Sequence, residues 1–156
     1  MKQAYNEIYL EDAMENMGEM VDYAVNVCHM DIEEFWQLFL SSGLADEFGK
    51  GSPKVVSGTS GTEMVYQVFD KAGLPEIEYP IQIEYNRSRE YWSGWILAYY
   101  QWVTGKRFQD IYKGLPMEEI QRLYPTLHEA SEEKFVEVAN HLIEANTKST
   151  KLQKLR

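Results

Sequence analysis

Three histidines, one cysteine and a serine set among glycines are the residues of this chain best equipped for catalysis or metal binding. Di-metal centres in helical bundles draw ligands from E-x-x-H pairs, because a spacing of three turns both groups to the same side. None of His29, His128 and His141 has a glutamate three residues earlier; those positions hold Asn26, Pro125 and Val138. Glu137 and His141 stand one helical turn apart, and a surface i, i+4 pair accounts for them, so no metal site is predicted. Gly58-Thr59-Ser60-Gly61-Thr62 has the outline of a G-x-S-x-G nucleophile elbow, but its last position is threonine, no strong strand precedes it and no partner histidine is recognisable. Ser60 with Glu63 is better read as the capping box of a helix, whose free N–H groups could cradle an anion without the lysine of a P-loop. Cys28 and His29 are neighbours on a helical segment, where successive side chains diverge by about 100°, so Cys28 reads as a packed thiol rather than half of a thiolate–imidazolium pair. No catalytic residue and no cofactor are predicted. Turnover that required Ser60, Glu137 or His141 would mark an enzyme of another kind.

The elements that would hold these residues are mostly helical. Leu10, Met14, Met17, Val21, Val25 and Cys28 recur at spacings of three and four, which predicts an amphipathic helix from about Glu7 to Cys28. Asp31 caps a second helix reaching about Ser42, Gly43 to Phe48 adds a turn, and the run Gly49 to Pro53 is a break. Ser60 opens a third helix that Gly73 and Pro75 end. Ser88 caps a fourth, Arg89 to Thr104, apolar around most of its circumference, with Trp92, Trp95, Ile96, Tyr99 and Trp102 as its core positions and Gly105 as its stop. Gly94 and Ala98 on this helix leave room for another backbone to approach. Phe108 to Tyr112 is a short helix; Pro116 at a helix N1 position and Ser131 open the last two. Ile77, Tyr79, Ile81, Ile83 and Tyr85 alternate at period two around Pro80, which predicts an extended arm or edge strand over 77–85. The expectation is a mostly α, single-domain bundle of six or seven helices over 1–146 around the aromatic helix, followed by a basic tail, 147–156, that frays.

Composition narrows the function classes. The 156 residues are 44% hydrophobic and 13% aromatic, enough for one buried core. The most apolar stretch, Tyr91 to Val103, is shorter than the ~20 residues that cross a bilayer. The N-terminal residues lack the pattern of a secretory signal, and a lone cysteine forms no intrachain disulfide and fits a reducing compartment, so a cytoplasmic protein is expected. The net charge of −10 belongs to one end: residues 1–50 hold eleven acids against Lys2 and Lys50, whereas the rest of the chain is nearly balanced. Such an end repels phosphate backbones, and direct nucleic-acid binding is not expected of it. The aromatics of the fourth helix lack the basic neighbours of a base-stacking surface.

The first helix therefore carries the candidate surface. Glu11, Asp12, Glu15, Glu19 and Asp22 are predicted to form a dense acidic face, and like charges one turn apart destabilise a helix by a few tenths of a kcal/mol per pair. A basic protein surface would relieve that repulsion. The predicted function is a non-catalytic protein–protein interaction module; the alternatives are an acidic nucleic-acid mimic of phage or mobile-element origin and an enzyme with an unrecognised site. Eleven tyrosines and four tryptophans leave homo-oligomer formation open.

In the segments YLEDAMENMGEMVDYAV, FWQLFLSSGLADEFGKGSPKVVSGTSGTE, REYWSGWILAYYQWVTGKRF and LYPTLHEASEEKFVEVAN, over nearly its whole length, the chain resembles a family of small uncharacterised proteins of Firmicutes. Members of that family are often encoded beside small proteins that look like ADP-ribosyltransferase-type toxins. The resemblance implies an antitoxin or accessory subunit, and it brings no catalytic residues with it.

Overall fold

The side chains that can cap a helix sit where helices begin. In the computed structural model, which describes residues 3–82 and 87–154, the carboxylate of Asp31 accepts the Glu34 N–H at 3.1 Å. The hydroxyl of Ser60 accepts the N–H of Glu63 at 3.2 Å, that of Ser88 the N–H of Tyr91 at 2.9 Å, and that of Ser131 the N–H of Lys134 at 3.2 Å. Each satisfies one of the amides that the first turn leaves without a partner. The helices are α1 (Leu10–Asp22), α2 (Ile32–Ser41), α3 (Leu44–Gly49), α4 (Pro53–Val56), α5 (Gly61–Lys71), α6 (Arg89–Thr104), α7 (Phe108–Gly114), α8 (Met117–Leu127) and α9 (Glu132–Lys154). No strand occurs among the described residues.

The architecture is mostly α, with more helices than the six or seven expected. The additional ones are short: α3 fills the turn after Gly43, and α4 is a single turn that begins at Pro53, the last residue of the stretch read as a break. The first element is also not one helix from Glu7 to Cys28. A 3-10 turn over Glu7–Tyr9 precedes α1, and a π-helical turn, Tyr23–Val27, follows it. Pro116 lies one position before its helix rather than inside it. The helix expected to fray after Asn146 continues to Lys154, and Asn146 itself donates to the Gly114 carbonyl.

The core is organised on a pair, α1 against α6, which pack on each other more extensively than any other two elements. Trp92, Ile96 and Trp102 are buried as expected; Trp95 and Tyr99, expected beside them, are only half-buried and pack on the outside of the core. A second aromatic cluster joins Trp36 and Phe39 of α2, Phe48 of α3 and Phe108 of α7, with ring centroids 5.0–6.1 Å apart and mostly edge-on. Trp102 donates its indole N–H to the Tyr5 carbonyl at 2.8 Å, and this bond straps the N-terminal residues across the end of α6.

Helix α5 ends in a turn that opens onto a segment without helix. Gly73, at φ +72°, follows the C-cap; its N–H reaches the Asp70 carbonyl, and the Leu74 N–H reaches that of Phe69. This double bond pattern is a Schellman stop, and the left-handed residue it requires favours glycine. From Leu74 to Gln82 the chain then runs without helix, turn or bend, as the extended arm predicted over 77–85; residues 83–86 lie outside the described residues.

Candidate interaction groove

The five acids assigned to a partner surface on α1 do not form one exposed stripe. Asp22 is buried, 3% exposed. Its carboxylate accepts the Asn26 amide at 2.9 Å, the Ser88 hydroxyl at 2.5 Å and the Gln82 amide at 3.4 Å. Asn26 spans onward to Glu90 at 3.1 Å, and Gln121 reaches the other Glu90 oxygen at 2.9 Å, so two buried carboxylates of α1 and α6 share one hydrogen-bonded network. Such groups are stable inside a protein only when satisfied in this way. Helical periodicity groups Asp22 with Glu15 and Glu19, but the start of α6 and Gln82, at the far end of the arm, cover the end of α1.

Glu19 is half-buried, and its carboxylate accepts the backbone N–H of Gly61, the first residue of α5. Burial, with the charge of Glu15 adding to it, pushes its pKa above the ordinary glutamate value, against the lowering effect of the Gly61 bond. Asp12 is exposed but accepts the Ser57 hydroxyl at 2.7 Å. Three of the five acids thus tie α1 to α6, to the start of α5 and to the residue after α4. Glu11 and Glu15 remain exposed, and no acid before Asp46 forms an ion pair among the described residues.

A different surface gathers the features of a binding site. Two tyrosines hold the arm to the bundle: the Tyr66 hydroxyl of α5 accepts the Tyr79 N–H at 3.1 Å, and the Tyr23 hydroxyl donates to the Pro80 carbonyl at 2.9 Å. The two hydroxyls are 3.1 Å apart. Because the Tyr23 proton points at Pro80, Tyr66 is the donor between them. Tyr23 opens the π-helical turn, so the widened turn sits directly beneath this clasp. The ring of Tyr79 lies 6.3 Å from that of Phe69 and closes the floor.

Between arm and helix lies a groove of about 740 Å³. Its apolar lining includes Phe69, Leu74, Ile77 and Ile81. Leu74, Ile77 and Ile81 are 40%, 51% and 87% exposed, three of the four large hydrophobic side chains open to solvent among the described residues. Its ionic groups are Asp70, Glu76 and Glu78, and no lysine, arginine or histidine lines it among the described residues. Sequence periodicity marked the arm but not the groove, because Asp70, Tyr66 and Tyr23 face it only once α5 and the π-helical turn are in place.

The residues considered for chemistry are dispersed. Ser60 caps α5, Glu137 lies 3.7 Å from the Lys134 ammonium, and His141 is exposed. Cys28 is buried, which raises its thiol pKa to about 11, whereas a reactive cysteine is lowered. Among the described residues no group of three or more His, Cys, Asp and Glu side chains is placed to hold a metal ion. Nor is any helix among them long and apolar enough to cross a membrane. Fold and groove together define a helical bundle carrying an extended, acid-rimmed arm. No protein-family model matches the chain, and no curated protein or solved structure matches it either.

Proposed function

We propose that this chain is a non-catalytic protein-binding module whose partner is a basic protein, received at the arm groove. The observation that carries this reading is the exposure of Leu74, Ile77 and Ile81 around a groove whose charged groups, among the described residues, are all acids. Clustered exposed apolar side chains rimmed by polar groups mark interaction sites, and a single sign of charge selects a partner of the opposite sign. Glu11 and Glu15 add unneutralised charge that speeds encounter with such a partner. The bundle around α1 and α6 supplies the rigid frame. The resemblance to proteins encoded beside ADP-ribosyltransferase-like toxins supports a toxin as the partner and a cytoplasmic place of action.

The test is affinity capture from the native cell extract at low and moderate salt, with the wild-type chain and an Ile77→Asp, Ile81→Asp variant side by side. The reading expects one stoichiometric basic protein, released as salt rises and missing from the variant. Equal capture by both chains would remove the groove from the binding surface.

A further inference from the structure

We propose that the groove recognises an extended peptide segment in which aliphatic side chains alternate with lysine or arginine, laid alongside the arm from Glu76 to Ile81. This rests on the protein-binding reading and specifies what the groove holds. The arm is extended, and the N–H groups of Glu76, Ile77 and Glu78 have no hydrogen-bond partner among the described residues. Unpaired main chain of this kind is a template for an added strand. Pro75 and Pro80 bound the stretch, and neither can donate, so pairing is confined to a few residues and does not propagate.

Side chains alternate along extended chain. Tyr79 is held to the floor by Tyr66 and Phe69; by alternation Ile77 and Ile81 fall in register with it and Glu76 and Glu78 in the other register, and all of them border the groove. A strand beside the arm places its own residues opposite these, and favourable cross-strand pairs are aliphatic against Ile77 and Ile81 and basic against Glu76 and Glu78. Asp70 of α5 adds a third carboxylate on the lining, and the volume falls within the range of formed ligand sites. An acidic or a purely polar segment satisfies only part of this surface.

The experiment is fluorescence anisotropy of the full chain with three labelled probes of equal length: alternating lysine and valine, alternating lysine and serine, and alternating glutamate and valine. The lysine–valine probe is expected to bind at least tenfold tighter than the other two and to weaken as salt rises. It should also slow amide exchange at Ile77 and Glu78. Ile81→Asp decides between a groove and general charge attraction: it adds a negative charge, so attraction alone tightens binding, whereas a groove that uses Ile81 loses about tenfold. Equal binding of the two lysine probes, or unchanged or tighter binding by Ile81→Asp, overturns the proposal. So does preference for an amphipathic helical peptide of the same charge. If no probe binds while capture of the native partner still requires Ile77 and Ile81, the extended-segment proposal fails and the protein-binding reading stands; if capture is also indifferent to those residues, both fail.

Discussion

Gly94 meets the backbone of Met17 so closely that a Cβ at residue 94 would lie 2.3 Å from the Met17 carbonyl oxygen. The contact sets the separation of α1 and α6 at the centre of the core. Alanine is the better helix former by about 1 kcal/mol, so in an exposed helix Gly→Ala would stabilise. Here the clash is with main chain, which has no alternative rotamer to adopt. Forcing an extra carbon into a packed core costs about 1–3 kcal/mol, and the rigid contact places this site at the upper end. Gly94→Ala is therefore expected to lower stability by about 1–2 kcal/mol net, measured by urea denaturation. A neutral or stabilising result would mean that the two helices separate at little cost.

The acids of α1 are expected to divide into two groups under mutation. Asp22→Ala removes a buried carboxylate that accepts from three side chains, Asn26, Gln82 and Ser88, and leaves its place between α1 and α6 unfilled, a loss of about 2 kcal/mol. Glu11→Gln and Glu15→Gln change exposed groups that form no ion pair among the described residues and should stay within about 0.5 kcal/mol of the parent. Chemical denaturation of the three variants in one buffer decides the matter. Similar effects at Asp22 and Glu15 would contradict the burial described for Asp22.

This division shows where sequence reading succeeds and where it stops. Local chemistry is legible: the caps at Asp31, Ser60, Ser88 and Ser131, the stop at Gly73 and the close approach at Gly94 each follow from a residue type whose effect acts within one turn or one contact. The extended arm is legible from alternation and Pro80. What Asp22 does is not, because its partners Gln82 and Ser88 lie 60 and 66 positions away in sequence and meet it only after α6 has packed on α1. The groove is hidden for the same reason. Tyr66 reads as an ordinary position of an amphipathic helix until Tyr79 returns to its hydroxyl.

Glu19 predicts a dependence on pH with a definite sign. Its pKa is raised in the folded chain from the ordinary value of 4.5, burial being the main cause. The folded state therefore holds this proton more tightly than the unfolded state does, and the stability linked to it is present at low pH and lost as pH climbs from 4.5 through the folded value. Glu19→Gln keeps an oxygen to accept the Gly61 N–H but cannot ionise. The variant should show a flatter stability profile just above pH 4.5 than the parent and match or exceed its stability at neutral pH, by denaturation across a pH series. A steeper decline in the variant would show that the charge on Glu19 supports the start of α5 more than burial opposes it.

Tyr66→Phe isolates the clasp from the bundle. The substitution keeps the ring that packs beside Tyr23, whose centroid is 6.1 Å away, and deletes the hydroxyl that accepts the Tyr79 N–H and donates to the Tyr23 hydroxyl, which itself keeps its bond to Pro80. A net hydrogen bond contributes about 1 kcal/mol, and the arm is joined to the bundle by few others, so the loss should appear locally. Amide exchange at Tyr79 is expected to quicken roughly fivefold, the factor that about 1 kcal/mol represents, while amides of Ile96 and Leu97 in the buried helix keep their protection. The same variant should bind the lysine–valine probe more weakly, because an arm released from Tyr66 no longer holds Ile77 and Ile81 in register with Glu76 and Glu78. Faster exchange with unchanged binding would separate the two roles and place recognition on α5 rather than on the arm.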